Sequence, residues 1–200
     1  STEACYTDKG KEITRAVFGD GPKDAKKLGK GVFRQYGKGE DGFDVVSNQF
    51  STHYFFENRH TCDEFFKNVA ECTQLGGYFI GGCYDGSLIF NDLRNKKRGE
   101  SMIIMEDGNK IWEVTKDYDR DTFTPDISSL GYTINVYQES INKTFPEYLV
   151  NFDYLTRLIE NYGFTPITQD EAKELGFISA IGSFQLLYRK MNFDIKKSSN

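Results

Sequence analysis

"FDVVSNQFSTHYFFENRHTCDEFFKNVAECTQLGGYFIGG", residues 43–82, is the stretch from which the class of this fold can be read. In its opening, FDVVSNQF, apolar residues run together instead of alternating with polar ones, which predicts a strand buried on both faces. Thr61 followed by Glu64 reads as a capping box, and Phe65, Val69 and Cys72 recur at helical spacing, so an amphipathic helix is expected next. The closing LGGYFIGG gives a glycine stop, a short apolar strand and a glycine-rich exit. Strand, helix and strand in this order form a right-handed crossover between parallel strands, and the expected class is α/β.

On the N-terminal side, ITRAVFGDG (13–21) reads as a short β-like run closed by Asp20 between two glycines. A Lys/Gly-rich connector then leads to Phe43, with one turn of helix around Asp24 to Leu28. On the C-terminal side, a brief helix is expected over SLIFNDLR (87–94) and a basic loop over NKKRGES (95–101). MIIMEDGNKIWEVTK (102–116) has the pattern of a hairpin turning near Asp107 to Asn109. YTINVYQES (132–140) reads as a strand. PEYLVNFDYLTRLIENYGF (146–164) reads as the longest helix, with Pro146 in its first turn and Gly163 at its end. SFQLLYRKMNF (183–193) reads as a strand returning to the sheet.

Two hundred residues, 38% of them apolar, support one core, so a single domain over residues 1–200 is expected. A net charge of −5 argues against a nucleic-acid coat working by bulk electrostatics; any such contact should be local and involve few phosphates. Cys5, Cys62, Cys72 and Cys83 form no C-x-x-C pair and only His53 and His60 could join them, so no metal site is expected. Reduced thiols in a cytosolic setting fit this cysteine usage. No apolar stretch approaches the roughly 18 residues of a membrane span, and STEACYTDKGKE lacks the apolar centre of a signal peptide; a soluble chain with no membrane partner is expected.

In doubly wound sheets, ligands bind beyond the carboxyl ends of the parallel strands. Three such ends are expected here: Asp20, the stretch Asn48 to Tyr54, and Cys83 to Gly86. An acid, an amide with aromatics and a glycine-rich turn would line one rim, a combination suited to a purine nucleoside.

FDVVSNQFSTHYFFEN, GGYFIGGCYDGSLIFNDL and FPEYLVNFDYLTRLIENYGF resemble successive blocks of the mRNA cap guanine-N7 methyltransferases, eukaryotic and viral. The resemblance runs from about Ala16 to the C-terminus, and the YDGSLIF variant is closer to the enzymes of large DNA viruses. The Q-F-x-x-H-Y block and the late P-E-Y-L-V segment carry most of its specificity. It implies a Rossmann-like class I methyltransferase sheet with a β-hairpin insertion, S-adenosylmethionine as cofactor and the capped RNA 5′ end, GpppN, as substrate. It also implies a stimulatory subunit or other capping domains as partners. Localisation would be cytoplasmic, in a viral factory or virion, for a viral protein and nuclear for a cellular one.

Residue by residue, the resemblance puts Asp20 on the adenine amino group of the cofactor, and Gln49 and Phe50 along its adenosine and methionine portions. His53 and Tyr54 would face the cap guanine, and Glu147 would accept hydrogen bonds from its N1 and N2 edge. Phe184, or Tyr188 in a different register, would close over the base. Tyr84 stands where many relatives have proline, at a cap contact. Guanine N7 has a lone pair at neutral pH, so the reaction needs alignment rather than a general base.

Each residue also has a plainer reading. His53 could be a hydrogen-bonded rim histidine, and Tyr54, Phe55 and Phe56 could be core aromatics. Thr144 to Glu147 is itself a capping-box pattern, and Asp20 could be a turn acid. Lys26, Lys27, Lys30 and the basic stretch Asn95–Arg98 read as solvated loops or as guides for the triphosphate or RNA, and Trp112 as hairpin packing.

The sequence carries no D-x-x-C/G-x-G-x-G after a strand, and no acid ending a second strand. The 200 residues therefore look like the later part of a catalytic domain, with an incomplete sheet and weak cofactor binding of its own. FDVV would then be an edge, expected to be covered by ITRAVF or by a second copy in an edge-strand dimer. Two other functions fit the same residues: a methyltransferase for another nucleotide or small molecule, and a cap-binding or regulatory subunit without catalysis.

Overall fold

The computed structural model describes residues 7–198, with side chains to residue 195, and Cys5 lies outside them. The chain divides into two compact units, Ser1–Leu155 and Thr156–Asn200. In the first, helices α1 (Asp8–Val17) and α2 (Ala25–Phe33) precede strand β1 (Phe43–Gln49), a 3-10 turn (Thr52–Glu57) and helix α3 (Arg59–Cys72). Strand β2 (Thr73–Gly82), helix α4 (Gly86–Asp92) and strands β3 (Ser101–Glu106), β4 (Asn109–Lys116), β5 (Thr133–Gln138) and β6 (Lys143–Tyr148) follow. β1 and β2 pair in parallel, and β3–β4–β5–β6 form an antiparallel meander. The mixed α/β class expected from residues 43–82 is present, with its strands divided between two sheets.

The crossover is built largely as expected, with two changes. Asn58, not Thr61, caps α3: its side chain accepts from the Thr61 N–H at 3.0 Å, and the Thr61 hydroxyl accepts from the Asn58 N–H at 3.4 Å. A helix starting at Arg59 makes Thr61 the third residue, so the capping box lies three positions earlier. The Gly76–Gly77 pair does not stop the chain but lies inside β2, where the register shifts. A Cβ on Gly77 would lie 2.9 Å from the Phe43 carbonyl oxygen, so glycine permits this close strand approach.

β1 is a strand but is not buried on both faces. Phe65 and Phe66 of α3 pack edge-on against Phe79 of β2 and cover one face. On the other, Val45 is 50% exposed and is joined by exposed Tyr78 and Ile80. ITRAVF does not cover the outer edge of β1, because it belongs to α1. Ile13, Ala16 and Val17 stand at i, i+3 and i+4, Thr7 caps the helix by accepting from the Gly10 N–H, and Gly19 (φ 76°) ends it. Asp24 caps α2, and the single turn expected from Asp24 to Leu28 is present; Gly29 (φ 73°) breaks the helical backbone before a second short piece runs to Phe33.

The hairpin turns through Asp107 and Gly108, both left-handed as a two-residue turn with primed geometry requires. β5 and β6 extend it into a sheet packed on α4. Ile89, Phe90 and Leu93 meet Val114, Tyr118, Tyr132, Ile134, Val136 and Leu149 in its core. Pro146 begins no helix: it lies in β6, an edge strand, where its missing N–H is tolerated. Helix α5 (Phe152–Glu160) begins later, with the Asn151 side chain accepting from the Tyr154 N–H at 3.1 Å.

The second unit holds most of α5, helix α6 (Gln169–Glu174) and helix α7 (Phe184–Ser198). The expected returning strand at 183–193 is helical: Phe184, Leu187, Tyr188, Met191 and Ile195 recur at spacings of three and four. Among the described residues, no helix is long and apolar enough to cross a membrane.

Candidate functional site

At the C-terminal end of β1, Phe50 has a left-handed backbone (φ 52°) that a bulky residue rarely adopts. Its N–H donates to the Gly82 carbonyl at 2.7 Å, tying the ends of β1 and β2 together. The Thr52 hydroxyl donates to the Asn48 side-chain oxygen at 2.7 Å, folding the chain into the 3-10 turn that carries His53 and Tyr54. Phe56 on this turn is fully buried and Phe55 stacks on Phe65 at 3.9 Å, so both are the core aromatics that the plainer reading allowed.

β6 brings Glu147 to His53. Their side chains are 5% and 8% exposed, with Nε2 and Oε2 3.5 Å apart. Neither nitrogen of His53 has a hydrogen-bond partner, nor does Oε2 of Glu147. Burial pushes the His53 imidazole down to about 4 and the Glu147 carboxyl up to about 7. Near neutrality the imidazole is therefore uncharged, and the 3.5 Å approach is not a formed ion pair. Since buried polar groups are normally satisfied, three orphaned atoms on two adjacent residues suit the neighbourhood of a polar ligand.

That space is a cleft of about 540 Å³ lined by Phe50, His53, Tyr54, Tyr84, Ile111, Trp112, Gln138, Ser140, Ile141 and Glu147. Tyr84 leaves the end of β2, and its hydroxyl accepts from the Gln138 amide at 2.7 Å, which leaves its own proton to donate elsewhere. Its ring is 27° from parallel to that of His53, with centroids 6.5 Å apart, and lies 5.9 Å from that of Trp112. Tyr54 lies against His53 at 4.3 Å. Burial raises the pKa of its hydroxyl, reinforced by the nearby charges of Glu147 and Tyr84. Aromatic faces around a few unsatisfied polar atoms suit a flat heteroaromatic ring with a donor edge.

Five sequence-predicted residues meet here: Phe50, His53, Tyr54, Tyr84 and Glu147. His53 is not the satisfied rim histidine of the plainer reading, and Glu147, being inside a strand, caps no helix. Asp20 and Gln49 do not line the cleft. Asp20 is exposed and accepts from Arg15 Nε at 2.8 Å, which lowers its pKa, while the Gln49 amide donates to the Ser47 hydroxyl at 3.2 Å. Phe184 and Tyr188 are exposed on α7 in the second unit.

Sequence reasoning missed Ile111, Gln138, Ser140 and Ile141, and took Trp112 for packing. A signal existed for two of them. Ile134, Val136 and Gln138 share one face of β5, so Gln138 is a polar residue in an inward position; Trp112 shares parity with buried Val114 on β4.

The profile of the mRNA (guanine-N(7))-methyltransferase domain matches residues 24–200. An mRNA cap guanine-N(7) methyltransferase of Aspergillus niger is 32% identical over 129 residues, covering 62% of this chain and 19% of that protein. One from Saccharomyces cerevisiae is 31% identical over 134 residues, covering 63% of this chain and 29% of its own length. A probable mRNA-capping enzyme of Acanthamoeba polyphaga mimivirus is 30% identical over 123 residues, or 59% of this chain and 10% of that protein. The chain thus spans a minor part of the curated relatives it matches.

Proposed function

This chain belongs to the mRNA (guanine-N7)-methyltransferase family, and from that premise we propose that its cleft holds the guanine of an RNA cap for methylation at N7. The observation that carries the reading is the orphaned Glu147 and His53 pair between aromatic rings. Glu147 as a carboxylate accepts from N1–H and the exocyclic N2–H of guanine; adenine offers no such donor pair. The rings of Tyr84, Tyr54 and Trp112 in the cleft wall offer aromatic surface to the base, with His53 packed behind them. Tyr84, which the resemblance sets where many relatives have proline, adds a hydroxyl donor.

The methyl donor is S-adenosylmethionine, whose sulfonium supplies an electrophilic methyl group; Phe50 is the residue of this chain that we assign to its neighbourhood. The chain's own contribution is to fix the acceptor. Holding the base by one edge and against aromatic rings fixes the direction of the N7 lone pair, and this orientation replaces a general base. Glu147 favours the positive charge that grows on the purine as N7 is alkylated. The capped RNA 5′ end is the substrate, with other capping domains or a stimulatory subunit as partners, in the nucleus or the cytoplasm.

The test is methyl transfer from labelled S-adenosylmethionine by the complete enzyme that contains these residues, with GpppA, GTP and ApppA as acceptors. Preference for GpppA with the label at N7, abolished by Glu147→Ala, is expected. Equal labelling of GTP would favour a methyltransferase for free nucleotides. Guanine-cap binding with no turnover would favour a cap-binding subunit.

A further inference from the structure

Between Lys23 and Lys38 the chain carries Lys23, Lys26, Lys27, Lys30, Arg34 and Lys38 against the single acid Asp24, a net +5 in a chain whose total is −5. All six cations are exposed, and among the described residues none is in an ion pair. Asp24 is occupied with capping α2, and α2 itself has no buried residue, so these side chains serve no core. The other basic stretch, Asn95–Arg98, differs: Arg98 there binds Asp117 and Asp119 at 2.8 and 3.2 Å. Aromatic rings lie within the basic patch, with Lys23 Nζ 5.2 Å from the centroid of Tyr36 and 6.0 Å from that of Phe33. The Tyr36 hydroxyl donates to the Gly19 carbonyl at 3.0 Å, which anchors its ring. Unpaired cations interleaved with fixed rings have the composition of a surface that tracks single-stranded nucleic acid.

Its position suits that use. Phe18 packs edge-on against Phe43, and the Gly39 N–H donates to the Val17 carbonyl at 2.9 Å, which ties the α1–α2 module to the N-terminal end of β1. The cleft lies at the other end, and seven residues of strand separate the two by roughly 20 Å. A triphosphate bridge and a few nucleotides cover that distance.

We propose that the segment Lys23–Lys38 is a contact surface for the phosphate backbone of the single-stranded RNA that follows the cap. The inference rests on the guanine cleft proposed above, and its test separates the two. Binding of the GpppA dinucleotide is compared with that of a capped RNA of about ten nucleotides across a range of salt, because each phosphate contact contributes about 0.7 to the slope of log affinity against log salt. Three proteins are compared: the wild type, Lys26→Ala/Lys27→Ala/Lys30→Ala, and the charge-matched control Lys9→Ala/Lys67→Ala/Lys97→Ala. The expected result is unchanged GpppA affinity in all three, which also reports an intact fold. For the patch variant alone, RNA affinity falls roughly tenfold at low salt and the slope flattens by about 2.

Equal weakening in patch and control variants would reduce the effect to net charge and overturn the proposal. RNA bound by the wild type no more tightly than GpppA would also overturn it and leave the surface to an acidic protein partner. Failure of the wild type to bind GpppA at all would instead strike the cleft reading.

Discussion

Glu147 and His53 lie side by side with no hydrogen bond between them, and burial moves their proton affinities in opposite senses, the carboxyl up to about 7 and the imidazole down to about 4. In the proposed complex the donor edge of guanine requires the carboxylate form, so below neutrality binding would expel the proton from Glu147. Calorimetry at about pH 6 in buffers of different ionisation enthalpy should show roughly one proton released per GpppA bound, fading by about pH 8. His53 titrates too low to contribute, so a second inflection near pH 6 would contradict its assignment.

The same carboxyl has a stability consequence. Its folded-state value lies above its unfolded value of about 4.5, so the folded chain holds the proton more tightly, and the stability this contributes is lost as pH rises toward and through 7. Glu147→Gln should therefore raise the melting temperature at pH 8, by an amount equivalent to roughly 2 kcal/mol, with little change near pH 4. It should also abolish discrimination between guanine and adenine caps. Side-chain chemistry of this kind was legible early. The Q-F-x-x-H-Y block and the P-E-Y-L-V segment named His53, Tyr54 and Glu147, whereas Gln138 and Trp112, signalled only by strand parity, were not read as site residues.

At the scale of elements, the cleft depends on how α4 begins. Asp85 caps it, accepting from the Ser87 N–H at 2.9 Å, and a Cβ on Gly86 would lie 2.5 Å from the Val150 carbonyl oxygen. Gly86→Ala should cost roughly 2 kcal/mol by forcing backbone apart, and should weaken GpppA binding by displacing Tyr84. Gly31→Ala, with nothing within 4 Å of the new Cβ and no left-handed backbone, should instead stabilise by about 0.4–1 kcal/mol by restricting the unfolded chain. Denaturant melts of the two variants with opposite signs check both statements.

Elements whose pattern was local and unambiguous, namely the β1–α3–β2 crossover, α4 and the β3–β4 hairpin, could be read from sequence. Those decided by partners could not. Pro146 suits a first helical turn as well as an edge strand, and only pairing with β5 selects the strand. The 183–193 segment has strand-like apolar content, but its spacings of three and four make it α7. The ITRAVF run is short enough to satisfy either period, and the Thr7 cap with its Gly10 contact made it helical.

For the whole molecule, the distribution of charge and of uncovered apolar surface is more informative than either total. The overall −5 hides a basic segment, and the α/β sheet leaves Val45, Tyr78 and Ile80 exposed on a face that parallel sheets usually cover. The outer edge of β1 has no strand partner among the described residues. Concentration-dependent self-association in sedimentation velocity is the expected result, reduced by Val45→Lys; a monomer at all concentrations would show that the edge is inert.

The proposed reading of guanine by Glu147 inside an aromatic cleft has a built-in reporter, since the chain's single tryptophan, Trp112, lines that cleft. Titrating its fluorescence with GpppA and ApppA in the wild type and in Glu147→Ala is the most direct measurement. Saturable change with GpppA, a much weaker response to ApppA, and loss of the difference in the variant are the expected results. An equal response to both caps, or full guanine preference without Glu147, would contradict it.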